Sequence, residues 1–262
     1  SGLAGGEARD LMSGLDADVA AGDGDFTLSR DGKILIYATQ TQGAGEAFTN
    51  NSDLYRVVLD GGAAVNLTEA NKGSDGNPAF SPDGRRLAWL ASPRENVGGD
   101  QAVVMIADAS GANARQLTHW DRGPSGLTWR SDGRALYVTA SDEGQNRLFE
   151  IDARTGAVKA LTGDGAVNAF DEAAGVLAYA HDSFTAPTQV FVAKSGGAAR
   201  QATQHNAEVL AGLDLPEAEP LTFAGWNGET THGWVFKPAG YVEGRKYPAV
   251  YLIHGGPKSP WT

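Results

Sequence analysis

Few residues in this chain have the types and spacing that chemistry needs. An apolar run, Ala249 to Ile253, climbs into His254-Gly255-Gly256-Pro257. Two adjacent glycines let a backbone turn tightly and bring its N–H groups close to a ligand. His254 beside them suits a packed, hydrogen-bonded turn residue better than a reacting one. His119, His181, His205 and His232 are scattered without ligand spacing, and Asp23-Gly24-Asp25 lacks the rest of a calcium loop, so no metal is assigned. Cysteine is absent, which removes disulfides, thiolate metal sites and a thiol nucleophile. There is no S-x-x-K, no H-E-x-x-H, no phosphate-binding glycine loop and no G-x-S-x-G, and no cofactor is expected. The nearest serine pattern, Gly123-Pro124-Ser125-Gly126, has the wrong spacing and reads as a connection between repeats.

The composition bounds the partners. With 262 residues and 41% apolar content, the chain can form one large domain or two modest ones. A net charge of −11 argues against nucleic acid and anionic membranes, which need basic patches. An acidic field favours cationic ligands such as the free amino end of a peptide, although acidity also serves plain solubility. No stretch approaches ~18 apolar residues, so no membrane partner is expected. Ser1-Gly2-Leu3 has neither an initiator Met nor a signal-peptide build and reads as a cut end. Cytoplasm and periplasm both stay open, as does self-association of a full-length protein.

The elements that position these residues come from a repeat. FTLSRDGKILIYATQ (26–40), PAFSPDGRRLAWLAS (78–92) and LTWRSDGRALYVTAS (127–141) share one template, and NAFDEAAGVLAYAHD (168–182) is a worn copy. Each is followed by a second template, closing on Thr68, Thr118, Thr162 and Thr203 at spacings of 50, 44 and 41 residues. The first template turns at its Asp-Gly, with Pro82 pre-setting φ in the second copy. The second turns at Gly61-Gly62, Ser110-Gly111, Thr155-Gly156 and Gly196-Gly197. Two hairpins per unit give four antiparallel strands, the blade of a β-propeller, whereas a β-sandwich has no reason to repeat such a word. Trp89, Trp129 and Trp226 are expected on strands as packing residues. GGEARDLM (5–12) matches the last-strand word and predicts a stray strand of a fifth blade.

After Asn206 the pattern changes. Residues 207–220 carry two prolines and several acids and read as a linker. Trp226-Asn227-Gly228-Glu229 predicts a hairpin turn. The unbroken apolar run Ala249–Ile253 predicts a strand buried on both faces of a mainly parallel sheet. The expected organisation is mainly β: a partial propeller over 1–206, the linker, and the first strands of an α/β domain over 221–262.

SPDG repeats, a linker and then YPAVYLIHGGP together resemble the prolyl oligopeptidase family of serine peptidases, and the resemblance spans the whole chain. The HGGP form with Trp261 is most similar to its bacterial dipeptidyl and acylaminoacyl peptidase branch. The resemblance implies an α/β-hydrolase domain with Ser, Asp and His in that chain order. The nucleophile, acid and base are expected beyond Thr262. It also implies that Gly256 offers an N–H to the developing oxyanion, with Gly255 shaping the turn and His254 bracing it. The function implied is release of dipeptides or acyl-amino acids from peptide amino ends through an acyl-enzyme. The competing function is a TolB-like propeller that only binds.

Short turns and long connections are expected on opposite faces of the blades. The long ones are 40–52, 93–101 and 119–126, and the catalytic domain is expected over them. The longest carries Glu46 beside Phe48 and Asn50. By resemblance to dipeptidyl peptidases, Glu46, with Asn50, would hold the substrate ammonium, and Trp261 would line the same substrate site. A solvated surface carboxylate is the plainer alternative for Glu46.

Overall fold

The structure, a computed structural model, describes residues 25–97, 100–194 and 196–253. The chain is mainly β and divides into two compact units between Gln116 and Leu117. The first unit holds two four-stranded antiparallel meanders. One contains β1 (Phe26–Leu28), β2 (Ile34–Thr39), β3 (Asp53–Val58) and β4 (Val65–Asn66). The other contains β5 (Asp75–Phe80), β6 (Arg86–Ala91), β7 (Val103–Asp108) and β8 (Arg115–Gln116). Their inner faces make one core from Ile36, Ala38, Leu54, Leu87, Trp89 and Ala107.

The second unit repeats the plan with β9 (Pro124–Trp129), β10 (Ala135–Asp142), β11 (Gln145–Asp152) and β12 (Val158–Ala160), then β13 (Ala166–Ala173), β14 (Val176–Ser183), β15 (Ala186–Lys194) and β16 (Arg200–Gln201). Here the two meanders share one eight-stranded sheet through a single parallel pairing of Asn146 with Ala166. Asn146 reinforces it, donating its amide to Gly165 O at 3.1 Å and its Nδ2 to Val167 O at 2.8 Å. Gly165 has φ +111°, and a Cβ there would meet Asp182 O at 2.2 Å, so only glycine fits. The core gathers Tyr137, Leu148, Val167, Leu177 and Tyr179.

The repeated words have a physical cause. In the first two copies a serine hydroxyl donates to the turn Asp, Ser29 to Asp31 at 2.7 Å and Ser81 to Asp83 at 2.6 Å. Each Asp also accepts an amide across the turn: Asp31 from Lys33, Asp83 from Arg85 and, in the third copy, Asp132 from Arg134. These bonds favour the carboxylate and hold all three acids below their ordinary value, led by Ser29, Ser81 and Arg130 respectively. The closing threonines are equally regular. Thr68, Thr162 and Thr203 accept the amides of Leu54, Leu148 and Val190 at 2.9, 3.0 and 2.9 Å. Each hydroxyl satisfies a strand N–H where the last strand has become too short to pair.

Three expectations need correction. Trp89 and Trp129 are buried on strands, but Trp226 lies in a one-turn 3-10 helix at the hairpin tip and is 86% exposed. Ser125 lies on β9, within a sheet. Ala249–Ile253 forms no strand, and Val250 and Ile253 are 84% and 78% exposed. A strand of that kind needs paired neighbours on both edges, and among the described residues none pairs with it. The expected hairpin does form, as β17 (Ala218–Ala224) paired with β18 (Thr230–Phe236). β17 begins inside the segment read as linker, after the four-residue helix α1 (Ala207–Leu210). The fifth-blade word at 5–12 lies outside the described residues.

Candidate substrate-anchoring site

Of the site residues expected from sequence, Glu46 and Asn50 are described; His254, Gly255, Gly256 and Trp261 lie outside the described residues. Glu46 sits in a 3-10 helix, Gly43–Phe48, inserted between β2 and β3. The helix has no buried residue, and Phe48 at its end is 80% exposed. Packing therefore does not hold it. Hydrogen bonds do.

Asn50 and Asn96 clasp each other: the Asn96 amide donates to Asn50 Oδ1 at 2.7 Å, and the Asn50 amide donates to Asn96 Oδ1 at 3.0 Å. Asn96 Nδ2 also donates to Phe48 O at 2.7 Å. On the other side, Ser74 Oγ donates to Asn50 O, and Ser52 Oγ donates to Asp75 O at 2.9 Å. The structure thus brings two long connections of the first unit together. The Asn96 loop is itself tied off by Arg94, whose guanidinium and amide hold both oxygens of Asp100. The Arg94 hydrogen bonds keep the Asp100 carboxyl below its ordinary value. Asn96 was not singled out from sequence. Its signal is faint: asparagine is a residue type that tolerates φ +57°, which it adopts here.

Glu46 Oε1 is buried and has no hydrogen-bond partner among the described residues. Asp75, whose carbonyl accepts from Ser52, is a buried acid. It accepts from Trp89 Nε1 at 2.7 Å and Asn71 Nδ2 at 2.9 Å, yet burial pushes its carboxyl up to about 6. The Ser125 hydroxyl is engaged with the Thr139 hydroxyl at 2.9 Å. A cavity of about 270 Å³ in the second unit is lined by His181, Asp182, Gln189, Phe191 and His205. Its Gln189 is consumed by the His205 backbone and the Thr203 hydroxyl.

With this geometry in view, the chain can be set beside known proteins. No family model matches it. It is 34% identical over 261 residues to the probable dipeptidyl-peptidase 5 of Arthroderma benhamiae, covering 92% of this chain and 35% of that protein. An acylaminoacyl peptidase solved with Z-Gly-Gly-Phe-chloromethyl ketone superimposes at TM-score 0.71 and 24% identity, covering 88% of this chain and 35% of that one. These likenesses support a place for the chain in the prolyl oligopeptidase family. Porphyromonas gingivalis dipeptidyl peptidase 4 adds a third likeness, at TM-score 0.63 and 18% identity over 85% of this chain and 32% of that one. The mainly β fold is similar to that of neighbours with propeller domains. The chain spans about a third of the length of the curated relatives it matches.

Proposed function

We propose that the chain supplies the substrate-anchoring part of a serine exopeptidase that releases dipeptides or acyl-amino acids from peptide amino ends through an acyl-enzyme. The four meanders act as four propeller blades, and β17 and β18 open the catalytic domain. The observation that carries this is Glu46: a carboxylate with one buried, unpartnered oxygen, on a loop pinned by the Asn50–Asn96 clasp. A carboxylate so placed gains most from a mobile donor with positive charge, and a peptide ammonium is one. Peptides are the proposed partners.

Catalysis in the whole protein runs by acyl transfer. Gly256 gives its N–H to the oxyanion, Gly255 lets the turn form and His254 braces it; fixed donors of this kind stabilise the charge that develops in the transition state. With no G-x-S-x-G among the 262 residues, the nucleophile and its partners are placed outside them. A propeller that only binds is not favoured, since the similarity to a dipeptidyl peptidase runs through 92% of the chain.

The test is Glu46→Gln in the full-length protein. Removing a charge-assisted contact costs about 1.5–3 kcal/mol. Thus kcat/KM for substrates with a free amino end should fall roughly 10- to 150-fold, and N-blocked substrates should be spared. An unchanged ratio between the two would return Glu46 to the solvated surface.

A further inference from the structure

We infer that Asn96 is a positioning residue for the amino-end site, setting where Glu46 and Phe48 stand before substrate arrives. Its importance to turnover rests on the assignment of Glu46 to the ammonium. The 3-10 helix Gly43–Phe48 has little to hold it in place. It buries no side chain, and its closing bond, from the Thr49 amide to Glu46 O, is long at 3.4 Å. Immediately after it, one residue from a connection 46 positions away makes three bonds to residues 48–50. Two use the Asn96 side chain as donor and acceptor at once, through the Nδ2 and Oδ1 of its carboxamide. The third uses its backbone amide, presented by the left-handed conformation at φ +57°.

Each bond removes freedom from a stretch that carries the ligand groups. Fixing one residue's backbone costs roughly 1–2 kcal/mol of conformational entropy. A loop ordered in advance spares the substrate that cost on binding. The Arg94–Asp100 pair gives Asn96 a fixed base from which to act. Phe48, exposed beside Glu46 and held through its carbonyl, becomes an apolar contact for the residues that follow the ammonium.

Asn96→Gly separates positioning from folding. Glycine keeps the left-handed backbone and the amide bond to Asn50 but deletes both side-chain bonds. In the full-length protein, kcat/KM for a free-amino-end peptide should fall about 5- to 20-fold, the worth of one or two exposed hydrogen bonds. The loss should appear in KM, with N-blocked substrate unchanged. Hydrogen exchange at 48–50 should quicken while β2 and β3 stay protected. Combined with Glu46→Gln, the glycine should add little, because Asn96 acts through Glu46. Equal loss on free and blocked substrates would make Asn96 merely structural and overturn the inference. If Glu46→Gln abolishes discrimination and Asn96→Gly leaves it intact, Asn96 fails while Glu46 keeps its ammonium. If Glu46→Gln itself leaves discrimination intact, both fall.

Discussion

Glu172 reaches back 41 residues to hold Ser131, accepting its amide at 2.5 Å and its hydroxyl at 2.9 Å. The same carboxylate accepts the Gly175 amide at 2.7 Å. In the worn fourth copy, therefore, a glutamate three residues before the amide it accepts does what the turn Asp does elsewhere, and it ties that turn to the third copy's. Glu172→Ala should cost about 1–2 kcal/mol, below the usual worth of charged hydrogen bonds because the site is half exposed. A lower urea midpoint at unchanged m-value is the expected reading. An unmoved midpoint would mean that the three bonds give no net stability.

The closing threonines should differ by burial. Thr68 is 7% exposed and serves the Leu54 amide inside the first unit. Thr68→Val keeps the shape and strands that donor, at about 1–3 kcal/mol. Thr203→Val should cost less, since the Val190 amide it serves lies where water can replace the hydroxyl. Equal shifts in melting temperature would show that water does not make up the loss.

Asp75 makes stability depend on pH in the direction opposite to a paired carboxylate. Burial raises its folded value from the ordinary 3.8 to about 6. Its contribution is fully present below about pH 3.8 and is lost as pH rises through about 6, after which the buried charge costs about 2–3 kcal/mol. Asp75→Asn stays neutral throughout and keeps an oxygen for Trp89. The stability difference between wild type and this variant should move towards wild type by that amount from pH 7 to pH 4. A flat difference would remove burial as the cause.

Gly256→Pro tests the proposed chemistry in the full-length protein. Deleting an oxyanion donor lowers kcat by roughly 10²–10³-fold. KM should barely move, because the contact strengthens only in the transition state. Gly255→Ala and a melting curve control for distortion of the turn. Near-normal kcat in a folded Gly256→Pro protein would place the donor elsewhere.

Local chemistry was legible in the sequence, and long-range pairing was not. The Asp-Gly turns, the glycine turns and the closing threonines each depend on residues within one meander, so a repeated word exposes them. The Asn227-Gly228 turn was visible for the same reason, with Asn227 at φ +58°. Ala249–Ile253 misled because apolar character says that a strand would like burial, not that partner strands stand beside it. The Asn50–Asn96 clasp was invisible because neither residue sits in a repeated position. The 3-10 helix that carries Glu46 has no apolar period to announce it.

Each meander pairs only strands adjacent in sequence, and the one pairing between meanders among the described residues, Asn146 with Ala166, skips only the short strand β12. During synthesis, then, no strand has to wait for a distant partner. A meander can zip up once about 40–50 residues have left the ribosome, and low contact order of this kind favours fast folding. A ribosome that pauses after either of the first two repeats therefore leaves behind a sheet whose strand pairs are already complete.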